Sequence, residues 1–317
     1  MSTFTQLPEC RRGLAAAASV AVQALALALA LTAPVARAVP PAAVPSQKPG
    51  TAFLPEGRLV WHEIQTTDVE KALAFYVSVF NWTRVDAPTV KGDRPYAMLK
   101  KDDHVFAGVA LLSAYGLTGP ARWLSWVAVA NVDECLAAVI RAGGVPEKGP
   151  ANHLVGRVAF ACDPAQARFA LVRPHFRQPF VFQAPVTWHG LMVAGADAEK
   201  VAPFYRDVFG WGEAVVDYSL RKSLPVLTTG GMRVASVHVL PEPGPGPAAG
   251  GGGRGAEPAF LPFVQVEDLR VALARFAAGG GREVMPVETI EGFGKVVRVA
   301  DPQGAGLVLF QRAGQNL

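Results

Sequence analysis

The sequence predicts an α+β protein in which a unit of one strand, one helix and further strands occurs four times. Three observations support this fold class: a strand-and-helix segment occurs twice, each copy is followed by a weaker strand–helix segment, and each weaker segment leads to two apolar strands joined by an Asp-Pro turn. A repeat of this length fixes the architecture, because each copy is expected to fold in the same way. The units pair into two predicted domains, residues 57–175 and 184–313.

Residues 1–38 are predicted to be a signal peptide. Arg11 and Arg12 precede an uncharged stretch rich in Ala, Leu and Val, and residues 36–38 read Ala-Arg-Ala, a pattern typical of signal-peptidase sites. We expect export to the periplasm or the medium, and the arginine pair also fits the twin-arginine route. The alternative is an uncleaved anchor, since about 20 apolar residues can span a bilayer, and only then would a membrane be a partner.

Charge excludes one class of partner. Removing residues 1–38 lowers the net charge from +4 to +2, and the rest of the chain has no cationic run. We therefore expect no nucleic-acid partner. Residues 39–56 are rich in Pro and Ala and predict a tether, and the Gly- and Pro-rich residues 241–259 predict a flexible loop.

The first unit of each domain carries the strongest signature. A short strand leads into a helix that is expected to begin near Asp68 in one copy and Asp197 in the other, because Asp suits the N-cap and the positive end of a helix. Apolar residues recur at helical spacing, so one helix face should be buried. The matched pairs are Trp61-His62 with Trp188-His189, Phe75-Tyr76 with Phe204-Tyr205, and Phe80-x-Trp82 with Phe209-x-Trp211.

The second unit of each domain follows a common plan. Strands are predicted at 124–130 and 260–266, and helices at 133–141 and 268–277, each followed by glycines that favour a helix end. An Asp-Pro turn between two apolar strands predicts a hairpin at 158–172 and another at 296–310.

Four βαβββ units with Trp-His in the opening strand and Phe-Tyr-x-x-x-Phe-x-Trp across the first helix resemble the vicinal oxygen chelate superfamily. That superfamily includes glyoxalase I, bleomycin-resistance proteins and extradiol dioxygenases, and the resemblance covers Arg58 to Arg312. It implies that two units pair into one curved sheet around a cleft. In metal-dependent members, a His from the first strand of each unit and a Glu from the last strand of at least one hold a divalent ion that polarises an oxygen-bearing substrate.

The resemblance implies only part of that metal site here. His62 lies 13 residues before Phe75, which matches the ligand position, and His189 is its counterpart in the second domain. We expect these two histidines not to meet, because they belong to different domains. The positions of the usual Glu, and those near the first strands of the second and fourth units, hold side chains that cannot bind a metal: Ala170, Val308, Trp126 and Phe263.

We therefore expect no cofactor, with a divalent metal in the second domain as the alternative. There His189 and His238 would be two ligands of a needed three, and two His without a carboxylate fall short of a metal site. Other groups that could complete it are Gln265, Gln311, Asp217 and Tyr218. Cys135 and Cys162 are expected to be small buried residues rather than reactive thiols.

The predicted function is that of an exported glyoxalase-like protein, a monomer or homodimer, that binds a small, partly aromatic molecule in an apolar cleft. The alternative is a metal-dependent lyase, isomerase or dioxygenase with a divergent site in the second domain. No catalytic residue is assigned. The predicted ligand-binding residues are His62, Trp126, His189 and Phe263.

Overall fold

The computed structural model describes residues 56–86, 96–153, 155–175, 185–219, 222–240 and 258–314. The predicted signal peptide (1–38) lies outside the described residues, as do nearly all of the tether (39–56) and of the Gly/Pro loop (241–259). No helix within the described ranges is long and apolar enough to cross a membrane.

The first sheet has eight strands in the order β2-β3-β4-β1-β5-β8-β7-β6. β1 and β5, the opening strands of the two units, pair antiparallel at its centre, and each pairs on its other side with the last strand of its own unit, in parallel. The elements are β1 (Leu59–Thr66), α1 (Val69–Phe80), β2 (Thr83–Asp86), β3 (Tyr96–Lys101), β4 (His104–Leu111), β5 (Arg122–Ala128), α2 (Val132–Arg141), β6 (Val145–His153), β7 (Gly156–Cys162) and β8 (Arg168–Pro174), with a 3₁₀ turn at Leu112–Tyr115.

The second sheet repeats this plan in the order β10-β11-β12-β9-β13-β17-β16-β14, with β15 paired to β16. Its opening strands β9 and β13 again pair antiparallel at the centre. The two sheets confirm the predicted α+β class with tandem domains of one design. The elements are β9 (Val186–Ala194), α3 (Ala198–Phe209), β10 (Gly212–Ser219), β11 (Lys222–Thr229), β12 (Met232–Leu240), β13 (Ala259–Gln265), α4 (Leu269–Ala278), β14 (Arg282–Glu283), β15 (Glu288–Ile290), β16 (Gly294–Ala300) and β17 (Gly306–Arg312), with a 3₁₀ turn at Gly195–Asp197.

The two predicted Asp caps have different outcomes. The Asp68 carboxylate accepts a hydrogen bond from the Lys71 amide at 3.1 Å, as a capping residue does. The helix α3 begins directly after Asp197, as predicted, but the Asp197 carboxylate makes no capping hydrogen bond. The preceding 3₁₀ turn already places Asp197 in a helical conformation, and its carboxylate pairs with the Lys200 ammonium at 2.6 Å instead.

The helices lie between the two sheets. One core joins α1 and α4 to the first half of the first sheet and the second half of the second, and its aromatic contacts include the Phe75 and Phe276 rings at 4.9 Å. A second core joins α2 and α3 to the remaining halves, where Phe169 and Phe204 pack at 6.1 Å. Each sheet therefore has an inner face, turned toward the helices and the other sheet, and an outer face turned away from them.

Reciprocal hydrogen bonds link the two domains. The Tyr76 hydroxyl on α1 donates to Asp301 at 3.0 Å, and the Tyr205 hydroxyl on α3 donates to Asp163, also at 3.0 Å. Both Asp residues belong to the Asp-Pro turns, and burial raises the pKa of each, for Asp163 to about 6. The Phe-Tyr and Asp-Pro motifs of the sequence are thus hydrogen-bond partners across the domain junction. The Tyr of each domain bonds to the Asp of the other, so the same contact occurs twice.

Candidate functional site

Alternation along β1 and β9 separates two sets of side chains. On β1, His62 and Ile64 point to the inner face, whereas Trp61, Glu63 and Gln65 point to the outer face. On β9, His189 and Leu191 are on the inner face, and Trp188 is on the outer face. His62 and His189 therefore point toward the domain junction, whereas the residues beside them point away from it.

The first outer face (Trp61, Glu63 and Gln65 of β1 with the side chains that contact them) holds a buried hydrogen-bonded chain. Glu63 is fully buried, and its carboxylate accepts from the Tyr115 hydroxyl at 2.8 Å and from the Gln65 amide at 3.1 Å. The Tyr115 oxygen also lies 3.0 Å from Nε2 of His153. Glu63 and Tyr115 are buried, whereas His153 at the end of β6 is partly exposed, so the chain leads from a buried carboxyl to accessible surface.

Burial raises the pKa of Glu63 to about 7, while the bonds from Tyr115 and Gln65 and the charge of Arg122 oppose that rise. Near neutral pH the carboxyl is therefore present in both protonation states. The pKa of Tyr115 is well above its ordinary value of 10, because of burial and then the charge of Glu63, so the phenol stays protonated.

These protonation states define two arrangements of the chain. When Glu63 is ionised, Tyr115 donates to it and His153 Nε2–H donates to Tyr115. When Glu63 is protonated, its own O–H can donate to Tyr115, which then donates to an unprotonated His153 Nε2. The same heavy atoms can therefore pass a proton between His153 and Glu63, and a titratable group perturbed in this way is typical of functional sites.

A charged layer supports the chain from one side. The Gln65 side-chain oxygen accepts from Arg122 Nε at 2.9 Å, which fixes the amide so that its NH₂ group faces Glu63. Arg122 also pairs with Glu147 at 3.2 Å, and Glu147 pairs with Arg168 at 2.6 Å. This network holds the Glu63 partners in place.

Aromatic rings surround the exposed end of the chain. The His153 ring lies 5.1 Å from Tyr115, 5.8 Å from Tyr96 and 5.9 Å from Trp126, measured between centroids. Trp126, a predicted ligand-binding residue, is fully buried on the same face and packs on Phe160 at 5.8 Å. Its proposed contact with a ligand stays a prediction. The first outer face thus combines packed aromatic rings with one hydrogen-bonded polar chain.

The second outer face (Trp188, Ser236, His238 and Phe263) differs in chemistry. Trp188 Nε1 donates to the Ser236 hydroxyl at 2.8 Å, and that hydroxyl lies 2.7 Å from His238 Nε2. The ring of Phe263, the other aromatic residue predicted to contact a ligand, lies 6.1 Å from His238. Burial, followed by the positive charge of Arg298, lowers the pKa of His238 to about 4, so this imidazole is neutral at physiological pH.

His62 and His189 contact each other across the two domains. Their Nε2 atoms are 3.4 Å apart and their rings stack at 4.9 Å, so the expectation that they would not meet is wrong. The inner faces of the two similar domains pack together, and this brings the two equivalent histidines into contact. His189 and His238 lie on opposite faces of the second sheet and cannot share an ion.

The central positions of both outer faces do not fit a divalent metal. Trp61, Trp126 and Ala170 are register neighbours on β1, β5 and β8, and the equivalent positions of the second sheet hold Trp188, Phe263 and Val308. None of these side chains is a metal ligand. Within the described residues no group of three or more His, Cys, Asp or Glu side chains could hold an ion.

The structure also places two of the other candidate ligands, Gln311 and Asp217, and both cysteines. The Gln311 side-chain oxygen accepts from the Leu269 amide at 3.0 Å, so it caps α4, and Asp217 is exposed on the edge strand β10. The side chain of Tyr218 lies outside the described residues. Cys135 and Cys162 are free, and burial raises the pKa of these thiols to about 12 and about 11, which confirms that neither is an activated thiol.

A family model for the glyoxalase/bleomycin resistance protein/dioxygenase superfamily matches residues 58–171 and 188–309. The chain belongs to this superfamily. Among curated proteins it is 26% identical over 267 residues to "Putative glyoxylase CFP32" of Mycobacterium tuberculosis, covering 82% of this chain and 97% of that one. It is 28% identical over 280 residues to "Anthracycline biosynthesis protein DnrV" of Streptomyces peucetius, covering 81% and 93%.

Solved structures share the fold. The 2,3-dioxygenase LapB from Pseudomonas sp. KL28 aligns with a TM-score of 0.50 at 11% identity, over 81% of this chain and 93% of that one. A catechol 2,3-dioxygenase aligns with a TM-score of 0.48 at 14% identity, over 81% and 93%. The superfamily that the family model describes includes dioxygenases, so the prediction that no cofactor is expected is not supported and is corrected. Because the residues at the central positions do not fit an ion, we assign no ligand set and derive no step through a metal.

Sequence reasoning missed Glu63, Tyr115 and His153. Alternation along β1 is a signal for Glu63 that the sequence carries, because successive strand residues point to opposite faces and Glu63 follows His62. The ligand-binding roles predicted for His62, Trp126, His189 and Phe263 stay predictions.

Proposed function

We propose that this superfamily member binds a small, partly aromatic molecule against its first outer face and that Glu63 takes up a proton from that ligand through Tyr115 and His153. The observation that carries the proposal is the buried Glu63 carboxyl, whose pKa is raised to about 7 and which is linked by bonds of 2.8 Å and 3.0 Å to a partly exposed His153. A group that titrates near the working pH is suited to proton transfer.

The ligand class follows from what surrounds His153. His153 lies beside the partly exposed ring of Tyr96 and above the buried rings of Tyr115 and Trp126, and aromatic surroundings of this kind favour a planar, partly unsaturated molecule. Since the chain ends in a proton acceptor, the ligand should carry an acidic hydroxyl, as a phenol or an enol does. The printed name of the Streptomyces relative, an anthracycline biosynthesis protein, supports an aromatic ligand.

A chromogenic phenol gives the direct test. 4-Nitrophenol changes its absorbance when it ionises, so it reports binding and proton loss together. We expect the wild-type protein to bind it and to favour the phenolate, whereas Glu63→Gln retains the shape of the site but no longer favours ionisation. His104→Gln, an exposed histidine of the same sheet, is the matched control and should behave like the wild type.

The same assay also tests whether phenolate formation depends on a bound divalent ion. The metal content of the purified protein is measured first, and the titration is repeated after treatment with a chelator and after addition of divalent ions. Phenolate formation that is equal in wild type and Glu63→Gln contradicts the proposal. Phenolate formation that disappears with chelator also contradicts it, because the proton acceptor would then depend on an ion.

Export is a second part of the proposal, supported by the arginine pair, the apolar stretch and the Ala-Arg-Ala sequence of residues 36–38. The mature protein is expected outside the cytoplasm with Val39 as its first residue. Cell fractionation followed by N-terminal sequencing tests this, and a cytoplasmic chain that retains residues 1–38 would contradict it.

A further inference from the structure

A cavity of about 500 Å³ lies at the junction of the two domains, away from the Glu63 chain. Its walls come from the start of β1, the start of β9 and the β11–β12 hairpin. Cavities of roughly 300–1,000 Å³ are typical of small-molecule sites, and domain junctions are a preferred location for them. This cavity is therefore large enough for a ligand of its own.

Two guanidinium groups define its charge. Arg58 comes from the first domain and Arg233 from the second, and both line the cavity. The Arg58 guanidinium reaches across the junction to the sulfur of Met232, the residue next to Arg233. Among the described residues, neither Arg58 nor Arg233 forms a salt bridge, whereas most of the salt bridges in that part of the chain contain an arginine.

The remaining lining complements these charges. Thr187 and Thr229 bring hydroxyl groups, and Trp188 brings an aromatic ring. His189 also lines the cavity, and it is neutral at physiological pH because burial lowers its pKa to about 3. The positive charge among these lining residues thus comes from the two arginines, with hydrogen-bonding hydroxyls and an aromatic surface nearby.

We propose that this interdomain cavity binds a small organic anion, a carboxylate or a phosphate ester, through Arg58 and Arg233, with an apolar or aromatic part against Trp188. Guanidinium groups bind planar carboxylates and phosphates with paired hydrogen bonds, and charge-assisted bonds of this kind are about twice as strong as neutral ones. The ligand contacts residues of both domains, so its binding stabilises the folded protein.

The test compares benzoate and phenyl phosphate with benzamide, which has the shape of benzoate but no charge. Binding is measured by isothermal titration calorimetry and by quenching of tryptophan fluorescence. Both anions are expected to bind at least tenfold more tightly than benzamide, and Arg58→Gln and Arg233→Gln are each expected to weaken the anions about tenfold. Arg141→Gln, an exposed arginine on α2, is the matched control and should change nothing.

Three results would overturn the proposal: no saturable binding of either anion, equal binding of benzoate and benzamide, or equal losses in Arg141→Gln and the two cavity variants. Thermal denaturation of each variant shows whether it is folded as the wild type is. Glu63→Gln should leave benzoate binding unchanged, so failure of this proposal is distinguishable from failure of the proposed function.

Discussion

Equivalent residues of the two domains are similar on the inner faces of the sheets and different on the outer faces. On the inner faces, equivalent residues make equivalent contacts: Tyr76 with Asp301 and Tyr205 with Asp163, both at 3.0 Å, and His62 with His189. On the outer faces, the position that holds Glu63 in the first sheet holds Gly190 in the second. The first face has a buried carboxyl chain, whereas the second has a Trp–Ser–His chain.

This difference distinguishes the residues that hold the two domains together from the residues that form a site on one sheet. A contact across the domain junction involves both repeats at once, so a change in one copy removes a partner from the other. An outer-face residue serves its own sheet alone and can change independently. Gly190 is an example of such a change. A Cβ at position 190 would lie 2.7 Å from the Met192 methyl and 2.8 Å from the Phe263 ring, so the second outer face has no room for a larger side chain there. The second face is filled by these side chains in place of a carboxylate.

The largest expected effect is a loss of stability when either of the two equivalent Tyr–Asp hydrogen bonds between the domains is removed. Asp301→Ala removes the acceptor of the Tyr76 hydroxyl and of the Gln303 and Ala305 amides, and leaves buried donors without a partner. We expect a loss of roughly 4 kcal/mol in the free energy of unfolding, and a similar loss for Asp163→Ala. Chemical denaturation measures both. A loss in one variant but not the other would break the symmetry, and the exposed Asp207→Ala is the control.

Next in size is the pH dependence from Glu63. Its pKa is raised from 4.5 to about 7 in the folded state, so the folded protein binds the proton more tightly and loses stability as pH rises from about 4.5 through 7. The total amounts to roughly 3 kcal/mol. Glu63→Gln should therefore be less sensitive to pH, with its largest gain over wild type above pH 7 and no gain below about pH 4. A constant difference at all pH values would contradict this.

The histidine pair predicts the opposite slope. Burial lowers the pKa of His189 to about 3 and that of His62 well below 6.5, so the folded state resists protonation and loses stability as pH falls below 6.5. At about pH 5 the His189 contribution should be roughly 2 kcal/mol. Denaturation of His189→Gln from neutral to acid pH should show a shallower loss than wild type. An unchanged slope would mean that the pair is not buried as described.

The smallest expected effect is the loss of stability from Gly108→Ala, which tests how Tyr96 packs on the first outer face. A Cβ at Gly108 would lie 2.1 Å from the Tyr96 hydroxyl oxygen, so Gly108→Ala must displace the Tyr96 ring, whose hydroxyl interacts with Glu63. We expect a cost of about 1–2 kcal/mol and a changed pH dependence of the Glu63 group. Gly149→Ala, where no atom lies within 4 Å of the added Cβ, is the matched control. Equal costs in both variants would contradict the packing of Tyr96.

Much of the fold could be predicted from the sequence, because strand alternation, helical spacing and the Asp-Pro turns are local signals. α2 and α4 were expected at 133–141 and 268–277 and lie at Val132–Arg141 and Leu269–Ala278. The site could not be predicted in the same way. Local pattern places Glu63 opposite His62 but does not say which face is the cleft, and the partners Tyr115 and His153 come from elements 52 and 90 residues further along the chain. The contact between His62 and His189 depends on how the domains pack, which no local signal encodes.

The claim that the first outer face holds a proton-accepting carboxyl is tested most directly by ¹³C NMR titration of the Glu63 side chain, with Glu63→Gln used to assign the signal. The structure predicts a midpoint near pH 7, far above the ordinary value of 4.5. Addition of 4-nitrophenol at pH 7 should move the signal toward the protonated form. A midpoint near 4.5, with no response to the phenol, would contradict both the buried chain and the function proposed from it.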